Sequence, residues 1–292
     1  MQKNMINKYW IWFSRMQKLT SLEKEYLLEK YETPENVWHL DFATLKNETN
    51  LSNECVKEIV NHEYRQNLEK FQEYMKVNNI KMITVKDQEY SEKLRNIYDK
   101  PIVLFAKGNL QLLNTKSVAI VGSRDCSNYG ENIAKMMSYN LAKENICVIS
   151  GLAKGIDKFA HIGALDAGGK TIAVIGNGLD YIYPCENKNL YERILKNNGL
   201  IVTEYIIGTK PKKLNFPARN RIISALSDAI IVVEAKEKSG ALITAEFGLE
   251  HGKEVFAVPG NIDNANSKGT NSLIKDGANI LLNHKDVIEY LQ

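Results

Sequence analysis

Between Lys210 and Arg221 the sequence crowds Lys210, Lys212, Lys213, Arg219 and Arg221 around Phe216, with no acid among them. Single-stranded nucleic acid is bound by cations that follow the backbone and aromatic faces that receive bases, each stacked base being worth about 1–3 kcal/mol. Lys213, Phe216, Arg219 and Arg221 supply that combination; the plainer alternative is a solvated basic loop with Phe216 in the core. Upstream, Gly122-Ser123-Arg124 leads through Asn128-Tyr129-Gly130 toward a helix beginning near Glu131. A glycine turn at a helix N-terminus is an anion seat, because free N–H groups and the helix dipole both favour phosphate, and Arg124 adds a planar fork to grip it.

A second such segment, Ser150 to Asp157, carries Gly151, Lys154 and Gly155. It reads either as another phosphate seat or as a tight helix-to-sheet packing turn with Lys154 in solvent. Asp157 is expected to cap the following helix and His161 to be a packed or exposed histidine. Gly176-Asn177-Gly178 opens a third loop, whose Tyr181-Ile182-Tyr183-Pro184 is either a stacking surface or a structural corner. The loops Glu234–Gly240 and Pro259–Thr270 could approach a phosphate with backbone amides. Glu234 and Glu246 read as solvated or capping carboxylates in preference to a catalytic pair.

Several classes are disfavoured. The turn at Gly122 lacks GxGxxG, Gly176–Gly178 holds only half of it, and no GxxxxGK[ST] loop occurs, which argues against nicotinamide chemistry and P-loop ATPase activity. Cys55, Cys126, Cys147 and Cys185 are scattered singly, suggesting neither a disulfide framework nor a zinc site. With 44% hydrophobic and 25% charged residues and a net charge of +3, the chain has an ordinary globular balance, too mildly basic for bulk charge to announce a polyanion partner. No apolar run approaches a membrane span and Met1–Lys8 is polar, so a cytoplasmic protein without metal or cofactor is expected.

The elements that must position these loops are legible from periodicity. In the first eighty residues apolar positions recur at helical spacing, as at Leu22, Tyr26, Leu27 and Val56, Ile59, Val60. Thr20-Ser21-Leu22-Glu23 has the form of a capping box, and Thr33-Pro34 sets a capping hydroxyl before a first-turn proline. The pattern changes near Asn79, predicting a helical domain over 1–79 and an α/β domain over 80–292. Strands are predicted at Ile80–Val85, Ile102–Phe105, Val118–Val121, Cys147–Ile149, Thr171–Ile175, Leu200–Val202, Ala229–Val233, Val255–Val258 and Asn279–Leu282. The polar stretch Gln88–Ile97 is helix-compatible. Later strands alternate with amphipathic stretches, the signature of a mostly parallel sheet with helices on both faces, whose ligands bind at the strands' carboxyl ends.

The segments GSRDCSNYG (122–130), SGLAKGID (150–157), GNGLDYIYPCEN (176–187) and GTKPKKLNFPARNRII (208–223) resemble, in order, the DNA-processing protein A (DprA/Smf) family. VVEAKEKSGALITAEFGLEHGKEVFAVPG (232–260) and SKGTNSLIKDGA (267–278) continue the match. The resemblance implies an extended Rossmann-like sheet preceded by a small helical domain of the sterile-alpha-motif-like (SAM-like) kind. It implies a homodimer that binds single-stranded DNA and loads the RecA recombinase in natural transformation, with no chemical reaction. Arg124 matches the family's phosphate-gripping arginine, Lys213 and Phe216 match its lysine and phenylalanine, and Arg219, Asn220 and Arg221 match its RNR motif. Its dimer contact corresponds to about Asn271–Leu282. The expected nucleic-acid-binding set is therefore Gly122, Ser123, Arg124, Lys154, Gly155, Gly176, Gly178, Lys213, Phe216, Arg219, Asn220 and Arg221.

Asn177, Cys185 and Ala225 depart from the usual family pattern, the lysine absent at Cys185 having Lys188 as a substitute, and the chain stops at Gln292 where longer members carry a winged-helix tail. A rival resemblance, of Ser239–Glu246 to lonely-guy-type nucleotide phosphoribohydrolases, lacks their PGGxGT core.

Overall fold

The computed structural model describes residues 7–292; most of the polar opening Met1–Lys8 lies outside them. Six helices come first: α1 (Lys8–Arg15), α2 (Ser21–Tyr31), α3 (Pro34–Trp38), α4 (Phe42–Glu48), α5 (Asn53–Val60) and α6 (Leu68–Val77). Both predicted start signals are formed. Thr20 and Glu23 exchange the two bonds of a capping box, and the Thr33 hydroxyl accepts from the Asn36 N–H with Pro34 in the first turn. Asn79, at φ +53°, turns the chain out of α6 into the sheet.

The sheet strands and their helices follow: β1 (Lys81–Thr84), α7 (Glu92–Arg95), β2 (Val103–Gly108), β3 (Ser117–Val121), α8 (Asn128–Lys143), β4 (Cys147–Ser150), α9 (Ile156–Asp166), β5 (Thr171–Val174), α10 (Lys188–Lys196) and β6 (Leu200–Thr203). The chain ends with α11 (Asn215–Leu226), β7 (Ala229–Val232), α12 (Gly240–Glu250), β8 (Glu254–Ala257), α13 (Lys268–Lys275), β9 (Asn279–Ile280) and α14 (His284–Leu291). All nine predicted strands are present, in the order β1-β2-β6-β5-β4-β3-β7-β8-β9. Only β1 with β2 and β2 with β6 are antiparallel. The fold is thus the mixed α/β, mostly parallel sheet that the sequence predicts, although the helix expected over Gln88–Ile97 shortens to Glu92–Arg95.

Strand order reverses at β3, which pairs with β4 on one side and β7 on the other, so the loops leaving β3 and β7 open a crevice at their carboxyl ends. Val118 and Ile120 pack on one face with α8, α9 and α14; Ala119 and Val121 pack on the other with α11 and α12. The apolar core of the early helices is continuous with that of the sheet. Trp12, Phe13, Val37 and Met75 belong to one apolar cluster with Phe105, Ile175 and Ile201 of the sheet region.

His161 is fully buried in α9, its Nδ1 2.7 Å from Thr171 Oγ1. Burial first, and then the nearby Arg219 charge, push it down to about 3. The folded chain therefore keeps this imidazole neutral where the unfolded chain, with an ordinary value near 6.5, takes up a proton. Stability supplied by the neutral form is complete above that ordinary value and is lost as pH falls toward 3. Between pH 7 and pH 5 the wild type should lose about 2 kcal/mol more stability than His161→Gln, measured by urea unfolding; parallel pH profiles would contradict this.

Candidate nucleic-acid interface

A cavity of about 620 Å³ lies at the switch point. The turn after β3 contributes Gly122, Ser123 and Arg124; the segment entering α11 contributes Lys213 and Phe216; the loop entering α12 contributes Lys236, Lys238 and Ser239. Arg124 and Lys213, distant in sequence, thus line one concavity. The Arg124 guanidinium carbon stands 5.4 Å from the centre of the Phe216 ring, a cation–π contact worth about 0.5–1 kcal/mol at an accessible site. The Tyr183 ring lies 5.5 Å from Phe216 at an interplanar angle of 31° and is 46% exposed. Gly176 makes room for this arrangement, since a Cβ there would stand 3.0 Å from Phe216 Cδ1. Lys213 is exposed and carries no ion pair among the described residues.

The backbone amides do not behave as the sequence suggests. The Ser123 N–H donates to Glu234 O (2.7 Å), and its carbonyl accepts from the Ile156 N–H (3.1 Å). Gly122 and Gly155 permit this stitch: a Cβ on Gly122 would sit 2.6 Å from Ile156 Cγ1, and one on Gly155, at φ +71°, 2.2 Å from Ser123 O. Asp157 does not cap α9 but reaches back, accepting from the Gly151 and Ala153 N–H groups at 3.1 and 3.4 Å. Glu234, 2% exposed, accepts from the Ser127 N–H ahead of α8, the capping role rather than the catalytic one. Two protein carboxylates therefore occupy amides near these turns, which at Gly151–Asp157 favours the packing-turn reading that the sequence left open beside a phosphate seat. Gly178 also leaves the phosphate seat, its N–H donating to Thr209 O at 2.9 Å.

The RNR residues diverge. Arg219, 4% exposed, donates through Nη1 to the carbonyls of Gly151 and Val174, while its Nε has no partner. Burial pulls its guanidinium down to about 10 against the favourable field of Asp157. It is a charge in the cavity wall and an anchor for α11. Asn220 donates to Gly240 O (3.1 Å), tying α11 to the start of α12. Arg221 lies outside the cavity, with Nη1 2.6 Å and Nη2 2.7 Å from the two Glu204 oxygens and Nε 3.0 Å from Asp99. Burial opposes its charge, but Glu204 and Asp99 more than offset that and hold its pKa above the ordinary arginine value. Glu204 and Asp99 already fill its fork, so the structure gives Arg221 an internal, structural partner set in place of the open fork that the sequence suggests.

Lys154 is exposed and pairs with Glu186 beside an adjoining notch that Arg124 also lines. Such an exposed pair is weak enough to reopen for another anion. The sequence leaves Tyr183 undecided and does not single out Lys236 or Lys238; their position directly after strand ends is the signal that could have found them. Cys55 and Cys147 are buried, and all four thiols are free.

Fold and site together define an extended Rossmann-type α/β protein with a cationic, aromatic groove at the switch point of its sheet. The chain belongs to the DNA recombination-mediator protein A family, whose model matches residues 81–292. It is 48% identical over 205 residues to the DNA processing protein DprA of Streptococcus pneumoniae, covering 70% of this chain and 72% of that one. It is 35% identical to the Smf protein of Synechocystis over an alignment covering 99% of this chain and 73% of that one. An X-ray structure of the S. pneumoniae protein matches with a TM-score of 0.83 at 38% identity, over 97% of this chain and 98% of that chain. DNA processing protein A of Helicobacter pylori, which has a described single-stranded DNA binding mode, matches with a TM-score of 0.65 at 32% identity, over 72% of this chain and 95% of that chain.

Removing one partner of a buried ion pair leaves the other charge stranded, at a cost of about 3–5 kcal/mol. Arg221→Ala should therefore lower the unfolding free energy by about 3 kcal/mol, whereas Lys213→Ala should leave it within about 0.5 kcal/mol. Chemical denaturation of both variants measures this, and an equally stable Arg221→Ala protein would show that the pair is not structural.

Proposed function

We propose that this protein binds single-stranded DNA in the switch-point groove, protects incoming strands and loads a RecA-type recombinase onto them during natural transformation. It does so in the cytoplasm and without catalysing a reaction. The observation that carries this reading is the convergence of Arg124, Lys213 and Phe216, two phosphate-binding cations and a base platform, on one cavity. Family membership and the strand-binding mode described for the H. pylori relative support it. Sequence preference is slight, because phosphate contacts position without specifying and an aromatic face accepts any base. The 1–79 and 80–292 regions serve as a helical domain and a strand-binding domain.

The phosphoribohydrolase alternative gains no support. Glu234 is buried and accepts from the Ser127 N–H while Glu246 is exposed, which favours capping and solvated roles over a reacting pair.

In a mobility-shift assay with a polythymidine oligomer, Arg124→Ala and Lys213→Ala should each bind about tenfold more weakly, and Phe216→Ala should lose about 1–3 kcal/mol. Wild-type affinity should fall steeply with salt as counterions are released. RecA filament nucleation on protein-coated strands should be faster with wild type than with Arg124→Ala. Unchanged binding by both cation variants would remove the proposed site.

The protein is further proposed to act as a homodimer through Asn271–Leu282. Support comes from β9, a two-residue strand at the sheet edge, where Ile280 is 51% and Leu282 73% exposed. Exposed apolar residues on an unpaired edge favour a second chain. Ile280→Lys should shift the mass in light scattering from dimer toward monomer; a wild-type monomer at micromolar concentration would exclude this contact.

A further inference from the structure

The loop between β7 and α12 raises two cations, Lys236 and Lys238, beside the groove. Both are exposed, both line the same cavity as Arg124 and Phe216, and neither makes an ion pair among the described residues. Their placement is fixed from both ends. Ala235 N–H donates to Asn266 O at 2.7 Å and Gly269 N–H to Ala235 O at 2.8 Å, while Asn220 holds Gly240 O at the other end.

The charge balance of the groove distinguishes this loop from the other strand-tip turns. At the starts of α8 and α9, Glu234 and Asp157 already accept from the neighbouring amides. The first turn of α12 holds no acid, and its N-terminal residues Ser239 and Gly240 open on the cavity. Arg219 lines the same cavity, nine-tenths buried or more, with no carboxylate at ion-pair distance and its Nε without a partner. Asp125 and Asp157 also line the cavity and exposed Glu237 stands between the two lysines, yet the five cations Arg124, Lys213, Arg219, Lys236 and Lys238 leave the groove net positive, on its α12 side as well as at Arg124 and Lys213.

We infer that Lys236 and Lys238 form a second phosphate-contacting wall, so that a single strand runs between them and the Lys213–Phe216 segment. Resting on the strand-binding reading above, this assigns two more backbone phosphates to the site and makes the bound strand longer than one base platform requires. The groove then selects an extended polyanion over a mononucleotide, since the two walls engage different links of one chain.

The test is a salt titration of polythymidine binding by the full chain, comparing wild type, Lys236→Ala/Lys238→Ala, Lys236→Arg/Lys238→Arg and a control, Lys107→Ala/Lys196→Ala, that removes the same net charge outside the cavity lining. Each released phosphate contact flattens the log–log salt dependence by about 0.7 for single strands. The groove alanine pair should flatten it by about 1.4 and weaken low-salt binding roughly tenfold, with an unchanged melting temperature. The arginine pair should retain the wild-type slope, and the control should change affinity about twofold at most. A groove pair indistinguishable from the control overturns the inference while leaving Arg124 and Lys213 as the site. A wild type that does not bind the oligomer at all overturns the strand-binding reading and this wall with it.

Discussion

A guanidinium with no carboxylate at ion-pair distance, held beneath the strand tips by the carbonyls of Gly151 and Val174, fixes the position of α11. Burying such a charge is costly unless its donors are satisfied. Two backbone carbonyls satisfy Nη1, and Gly151 supplies the clearance, since a Cβ there would lie 2.4 Å from Arg219 Nη2. Once Arg219 is seated, the residues one turn earlier in α11 have little freedom. Phe216 must rise over Gly176 toward Arg124 and Tyr183. The accessible aromatic edge and the exposed cations of the groove follow from that single buried contact.

The groove's chemistry is one of side chains rather than amides. Parallel sheets of this kind usually present helix N-termini to a ligand phosphate, yet here the turns after β3 and β4 are stitched to each other through Ser123 and Gly155. Asp157 and Glu234 take the neighbouring N–H groups. A rigid amide nest would favour one compact phosphate group in one pose. Exposed cations on flexible stems around a ring tolerate many poses of an anionic ligand.

The fold was legible because β-rich runs buried on both faces read as continuous apolar segments, and all nine were found. The cavity membership of Arg124, Lys213 and Phe216 was legible because loops at carboxyl strand ends converge at a switch point. What failed was satisfaction. Composition identifies Gly122-Ser123 or Gly151 to Gly155 as potential amide donors but does not reveal that Asp157 or Glu234, remote or folded back, has claimed the donors. The pairing of Arg221 is hidden from the sequence in the same way. The two arginines read as one cationic motif, but helical positions two apart point about 200° apart, so Arg219 faces the strand tips while Arg221 faces Glu204 and Asp99.

That divergence joins the two halves of the chain. Arg221 reaches the Ser21 hydroxyl at the start of α2, beside half-buried Lys24, whose pKa desolvation pulls down to about 8 against the favourable field of Glu204. Glu25 pairs with Lys100 at the same boundary. The apolar cluster that runs from Trp12 to Ile201 crosses it without interruption. Because α11 carries the groove contacts on one face and this ionic junction on the next, the early helices brace the element that presents Phe216. A shift of α2 against the sheet would withdraw the Ser21 hydroxyl from Arg221 and Lys24 from the field of Glu204, while the Arg221–Glu204 pair itself lies wholly on the sheet side of the junction.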